Sequence, residues 1–385
     1  MNRILFIVLL IFIAGASLSA QSSARMMTSP IARALQPFVE RGELIGAVTV
    51  VASKDKVLSV DPVGLRDREA KAPMPVDALF ALHSESKSIE MTALMVLVDE
   101  GKVSVDDPVE KYIPEFAGIM LKRPDGTLGS PKNKLLVRHL FTHTSGLVGF
   151  PNWLMKVRPP EGYGNYPIEV TVKATVVEPL EFEPGTKFRY NSMGLAVAGR
   201  IVEVVSGISF AEFLQKRVFE PLGMMDTGYG PWRDRERVAI TYKFDPKTGG
   251  LKRGLEAGPE WLKLKWYPEL GGAMRSTAAD MARYGMMFLN GGVIDGKRFL
   301  KESTVKMMMR KQSGPAVPNQ IGFAWYLDER SPETRNWTGG ASGVSLVLDR
   351  KQGLVMVWMI DQRPRPEAPF KAFEDTAILL YGQSK

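Results

Sequence analysis

With 385 residues, 45% hydrophobic and 24% charged, the chain has ordinary globular composition and suffices for one large unit or two domains with a sizeable buried core. It holds no Cys, which excludes disulfides, thiolate zinc sites and a cysteine nucleophile. The net charge of +8 comes from scattered Lys and Arg with no run of five or more basic residues, so a solvated basic surface is favoured over a nucleic-acid or membrane-surface binder.

Asn2-Arg3 precede an apolar run from Ile4 to Ala16, and small residues follow at Ser17, Ser19 and Ala20. This is the pattern of a secretory leader. The run is shorter than the roughly 20 residues that span a bilayer. The expectation is a signal peptide over 1–20, a mature chain beginning near Gln21, and an exported protein, periplasmic or secreted, with no stable membrane span after cleavage.

Ile31–Arg41 reads as a helix ended by Gly42, with Pro37 inside it. Gly46–Ser53 and Val57–Asp61 read as a hairpin turning at Lys54-Asp55-Lys56. Ser84–Glu100 reads as an amphipathic helix, with Met91, Leu94, Met95 and Val98 at i, i+3, i+4, i+7 and Gly101 at its C-cap. Val103 to Leu262 is helix and long loop. Within it, 121–133 and 157–166 are rich in Pro, Gly and charge, and Asn191–Ser206 is an apolar helix stopped by Gly207. Thr277–Leu289 opens with Thr277-x-x-Asp280, a capping-box-like start. Val344–Asp349 and Leu354–Ile360 flank Arg350–Gly353 as a second hairpin.

Strands at both ends with helices between predict an α+β fold rather than a run of βαβ units. The expected division is a sheet domain from about 27–80 and 265–383, mainly antiparallel, and a helical domain from about 81–264, together a unit over 27–383. Gly339-Gly340 lacks the spacing of a phosphate loop, so nucleotide binding is unsupported.

The chemistry is narrowed by what is missing. The three His are His83, His139 and His143, and no GxSxG elbow exists for a Ser-His-Asp hydrolase. His139 and His143 have helical metal-pair spacing but lack the Glu of HExxH and a third ligand, so a structural role is favoured. Serine can instead be activated by Lys or Tyr. Ser-x-x-Lys sets both side chains on one helix face, and the pattern occurs at Ser53–Lys56, Ser84–Lys87 and Ser303–Lys306. The first sits in a hairpin turn and the third heads a Lys-rich surface helix. Ser84–Lys87 alone opens a long apolar helix, whose N-terminus helps stabilise a developing oxyanion.

Leu82-His83-Ser84-Glu85-Ser86-Lys87, followed by Leu97-Val98-Asp99-Glu100-Gly101-Lys102-Val103-Ser104-Val105-Asp106-Asp107-Pro108-Val109, resembles the first motif of the class C β-lactamase-like serine hydrolases. That family holds β-lactamases, D-amino-acid peptidases and esterases. His139–Leu147 resembles its His-Thr-Ser-Gly-Leu loop, and Pro184-Gly185-Thr186 through Tyr190 its second motif. Pro221-Leu222-Gly223-Met224 and Gly271-Gly272 through Asp280 resemble later landmarks, and Trp337-Thr338-Gly339-Gly340-Ala341-Ser342-Gly343 the third motif. The resemblance runs from Ile45 to Asp361 and implies a β-lactamase/penicillin-binding-protein fold with the cleft between a sheet domain and a helical domain.

The resemblance implies that Ser84 is the acylated nucleophile and that Lys87 and Tyr190 move its proton, with the formal base left open between them. The backbone N–H groups of Ser84 and Gly340 are implied as the oxyanion hole. Ser192, Trp337, Thr338 and Gly339 are implied to contact substrate. No cofactor or metal is implied.

Two departures bear on substrate. The second motif is normally Tyr-x-Asn and here reads Tyr190-Asn191-Ser192, so a hydroxyl replaces an amide and Asn191 is expected to point elsewhere. Tyr163-Gly164-Asn165 fits that pattern literally but outside the Pro-Gly-Thr context, and reads as a chance match. In the third motif Trp337 stands where Lys or His is usual. An indole cannot pair with a substrate carboxylate, and some esterases of this family carry Trp there. The expected substrate is a small neutral ester cleaved through an acyl-enzyme. The alternatives are amide hydrolysis, as a β-lactamase or D-amino-acid peptidase, and a non-catalytic peptidoglycan-binding relative. Glu85 inside the first motif has no account at this level.

Overall fold

The computed structural model describes residues 29–149, 167–230, 234–254, 270–315 and 317–383. The leader-like segment and Tyr163-Gly164-Asn165 lie outside them. The principal helices are α1 (Pro30–Glu40), α2 (Ser86–Asp99), α3 (Met193–Ser206), α4 (Ala278–Leu289) and α5 (Glu367–Tyr381). The principal strands are β1 (Gly46–Ala52), β2 (Val57–Asp67), β3 (Ala72–Pro73), β4 (Tyr326–Leu327), β5 (Arg335–Gly339), β6 (Ser345–Asp349) and β7 (Leu354–Met359).

These strands form one seven-stranded sheet in the order β4-β5-β6-β7-β1-β2-β3, and every adjacent pair is antiparallel. The chain's two ends meet in it: Val48 of β1 pairs with Met359 of β7 and Ala52 with Val355. Every residue of β1 and β7 is buried, because helices cover both faces. On one side α1 and α5 pack side by side, and Ile31, Leu35, Phe370 and Phe373 enclose Val51, Met356 and Trp358. On the other side α4 lies against β1 and β7. A Cβ on Gly285 would come within 2.5 Å of Val355 Cγ1, so this glycine lets helix and strand approach closely.

Local signals set the helix ends. Ser29 caps α1 by accepting from the Ala32 amide at 3.0 Å, ahead of Pro30 at the first helical position. Thr277 caps α4 by accepting from Asp280 N–H at 3.2 Å. Gly207 ends α3 with φ +76, the left-handed conformation that glycine adopts without Cβ strain.

Besides β2, which runs on to Asp67 where the sequence reading ended it at Asp61, two elements differ from the sequence reading. The segment after Leu82 starts with a 3₁₀ turn over His83–Glu85, and the α-helix proper begins at Ser86. That helix is not amphipathic: twelve consecutive residues, Ser86 to Leu97, are buried. It runs through the middle of the molecule against α3, and a helix enclosed on all sides has no solvent face to keep polar. Likewise the third helix begins at Met193, and Asn191 belongs to the loop before it. No single described helix is long and apolar enough to cross a membrane.

Candidate active site

Ser84 sits in the 3₁₀ turn that launches α2. One turn on, Lys87 is 5% exposed and extends its ammonium back along the helix. Lys87 Nζ donates to Ser84 Oγ at 3.4 Å and to the Gly271 carbonyl at 2.7 Å. Tyr190, 106 residues further along the chain, donates its hydroxyl to Ser84 Oγ at 2.7 Å. The ammonium also stands over the Tyr190 ring, 5.0 Å from its centroid. The Ser84 hydroxyl thus has two hydrogen-bond partners, one enclosed and one half exposed. The other two Ser-x-x-Lys pairs are elsewhere: Ser53 closes the exposed β1–β2 turn, and Lys306 pairs with Glu302 on a surface helix.

The loop carrying Tyr190 is held by His143 and Asn191. His143 Nδ1 accepts from the Asn191 amide at 3.4 Å, and its ring lies 4.5 Å from that of Tyr190. Burial, helped by the nearby Lys87 charge, holds the His143 imidazole down to about 3, so it is neutral at physiological pH. His139 accepts from the Leu136 amide at 3.1 Å through Nδ1, and burial with Arg138 beside it holds it down to about 4. Both rings serve as backbone acceptors. Among the described residues no group of three or more His, Asp or Glu is placed to hold a metal ion. Asn191 is buried, accepting from Gly194 N–H at 3.1 Å and donating to the Leu147 carbonyl at 3.3 Å. It braces the loop.

Ser84, Lys87 and Tyr190 open into a narrow cleft that reaches solvent. Its walls are Met91, Phe141, Leu195, Ile321, Ala324 and Tyr326, with His143, Thr338 and Gly339 completing it. Among the described lining residues Lys87 is the only cation. Thr338 and Gly339 therefore fall at the site. Trp337, implied to contact substrate, does not line this cleft: its side chain is partly exposed and its indole stacks on Tyr326, with centroids 4.7 Å apart and planes at 20°, as a cross-strand pair between β4 and β5. Tyr326 is the aromatic wall itself, and burial, with Tyr190 nearby, pushes its phenol up to about 12. Ser192 stands at the head of α3 and does not line this cleft.

Gly340 meets the turn that carries Ser84 at very close range. A Cβ there would lie 1.9 Å from the Leu82 carbonyl oxygen, so only glycine fits. Its N–H donates to the Val344 carbonyl at 3.2 Å. Backbone strain also gathers here. His83, His143 and Ala324 have φ of +47, +54 and +58, a conformation that costs non-glycine residues on the order of 1–3 kcal/mol and concentrates at functional sites.

Sequence reasoning missed most of the cleft wall. Met91 follows Lys87 by one turn, and its i+4 spacing was the one available signal. Phe141, Ile321, Ala324 and Tyr326 converge only through tertiary packing.

The family profile described as Beta-lactamase matches residues 31–380. The chain is 31% identical to esterase EstB of Burkholderia gladioli over 381 residues, covering 88% of this chain and 90% of that one. It is 25% identical to penicillin-binding protein 4* of Bacillus subtilis strain 168, over 89% of this chain and 74% of that one. Among solved structures, EstCE1, a hydrolase with promiscuous acyltransferase activity, superposes with a TM-score of 0.74 at 23% identity, covering 94% of this chain and 100% of that one. That structural likeness establishes a shared fold.

Proposed function

The chain belongs to the β-lactamase family of serine hydrolases, and from that premise we propose that it is a carboxylesterase that cleaves small neutral esters through an acyl-enzyme on Ser84. The observation that carries the reading is the cleft's single cation. Lys87 is spent on Ser84 and the Gly271 carbonyl, and the remaining wall is largely apolar. Among the described residues none stands free there to pair with the carboxylate of a β-lactam or a peptide C-terminus, and the head of the third motif carries Trp337, which supplies no charge and stacks on Tyr326.

Ser84 Oγ attacks the ester carbonyl carbon while its proton passes to the member of the Lys87–Tyr190 pair that enters the step deprotonated, Lys87 as the neutral amine or Tyr190 as the phenolate. The tetrahedral oxyanion is stabilised by the backbone at Ser84 and Gly340. As the C–O bond breaks, the pair returns the proton to the departing alkoxide. Water then attacks the acyl-enzyme by the reverse proton path and releases the acid. The leader-like N-terminus supports an exported location for this activity. Similarity to EstB supports the ester reading, and similarity to penicillin-binding protein 4* supports amide hydrolysis as the second.

The test compares kcat/KM for p-nitrophenyl acetate and nitrocefin, with fluorophosphonate labelling followed by intact mass. The expected outcome is efficient ester turnover, poor nitrocefin turnover, and one adduct that disappears in Ser84→Ala. Efficient nitrocefin turnover with poor ester turnover would replace the esterase reading. An adduct that persists in Ser84→Ala would displace the nucleophile assignment.

A further inference from the structure

Glu90 follows Lys87 by three residues on α2, and both are buried. Its Oε1 accepts from the Gly271 backbone amide at 2.9 Å and from the Tyr229 hydroxyl at 2.8 Å. The carbonyl of the same Gly271 accepts from Lys87 Nζ at 2.7 Å. One glycine is therefore gripped at its N–H by the carboxyl and at its C=O by the ammonium, both from one face of one helix. Gly271 has φ +83, and a Cβ there would stand 2.7 Å from Lys87 Nζ. Only glycine both adopts this backbone and leaves room for the ammonium.

Placing an acid here is unfavourable by itself. The residues on either side, Ile89 and Met91, are core hydrophobes, and desolvation pushes the Glu90 carboxyl up from its ordinary range. A buried acid is tolerated when it is hydrogen-bonded, and Glu90 uses its bonds on the segment that docks Lys87. The docking matters because a lysine carries four flexible carbons. At 3.4 Å the Lys87–Ser84 contact lies beyond the usual hydrogen-bond range, so a small drift of the Gly271 carbonyl would take the ammonium out of reach.

We propose that Glu90 is a positioning residue for Lys87: it anchors the Gly271 backbone so that its carbonyl holds the lysine within proton-transfer distance of Ser84. The inference rests on Ser84 and Lys87 acting as described above. Glu90 touches neither substrate nor the reacting atoms, so its loss is expected in kcat and not in KM.

Steady-state kinetics with p-nitrophenyl acetate test it, on variants shown to be folded by circular dichroism. Glu90→Ala is expected to lower kcat roughly 10–100-fold, as misplacement of a reacting group does, with KM unchanged. Glu90→Gln keeps an oxygen that accepts both hydrogen bonds and is expected to recover most of the rate. Gly271→Ala should lower kcat too, and its effect should not add to that of Glu90→Ala, because both act through one carbonyl. Wild-type kcat in folded Glu90→Ala, a Gln variant no better than the Ala variant, or strict additivity would each overturn the proposal. If Glu90→Ala does not fold, Tyr229→Phe carries the test, with kcat several-fold lower and KM unchanged expected and an unchanged kcat refuting it. Lys87→Ala, measured alongside, separates the two levels. An active Lys87→Ala removes the underlying reading and this one with it. An inactive Lys87→Ala beside a fully active Glu90→Ala removes this one alone.

Discussion

The phenol of Tyr190 and the ammonium of Lys87 reach one hydroxyl, but only the phenol has a face toward solvent, where a leaving group departs. Tyr190→Phe is therefore expected to lower kcat by roughly 10²–10⁴ while the cleft keeps its shape. A loss below tenfold would put the proton path through Lys87 alone. Glu85 poses a different residue-scale question. It is completely buried next to Ser84, and neither carboxylate oxygen has a hydrogen-bond partner. Burial raises its pKa well above the ordinary 4.5, against an opposing effect of Arg365. The folded state thus keeps a proton that the unfolded chain gives up, and stability falls as pH rises from 4.5 toward the raised value. Glu85→Met removes that penalty. The variant should be more stable than wild type by about 1–3 kcal/mol at neutral pH, with the gap shrinking toward acid pH. Urea denaturation over a pH series checks this, and a gap that does not change with pH would refute it. The Ser84, Lys87 and Tyr190 trio was legible because short motifs carry it. Gly271 was marked as part of a later landmark, but its link to Glu90 was not legible, because their hydrogen bond closes over 181 residues of chain and Glu90 has no local pattern.

At the scale of elements, periodicity and punctuation located α1, β1, α4 and the β6–β7 hairpin to within a few residues, since caps and turns are local, and found the start of β2 but not its continuation to Asp67. The character of α2 was not legible, because what surrounds a helix is a tertiary fact. The segment between Ile321 and Tyr326, which bridge to one another, was likewise silent. There the Gly322 amide donates to the Trp325 carbonyl at 2.7 Å, and Ala324 takes φ +58 while lining the cleft. Ala324→Gly is expected to relieve the left-handed strain, worth about 1–2 kcal/mol, against a loss of roughly 0.5–1 kcal/mol from the greater freedom of unfolded glycine. The thermal midpoint should hold or rise slightly. The wall also recedes by one methyl, so kcat/KM for p-nitrophenyl hexanoate relative to acetate should increase several-fold. A fall in the midpoint with an unchanged ratio would show that the methyl packs elsewhere.

At the scale of the whole molecule, the α+β class followed from strands at both ends, but the strand order did not, because pairing partners leave no mark in either strand alone. The consequential feature is the β1–β7 seam. β1 is translated early, yet its neighbour on one side is β7, which ends at Met359. At about 5–20 residues per second, the roughly 300 intervening residues take on the order of 15–60 s to emerge from a ribosome. Throughout that interval one edge of β1 has no partner and the core beneath α4 is open. The molecule acquires its stability late and all together, which keeps a growing chain pliable and also leaves it exposed to proteases and to aggregation. Ribosome-bound chains ending before Leu354 should be digested rapidly by a limiting protease, and chains extended past Tyr381 with room to clear the exit tunnel should resist. Early resistance in the shorter chains would mean that the helical insertion closes on its own before the sheet does.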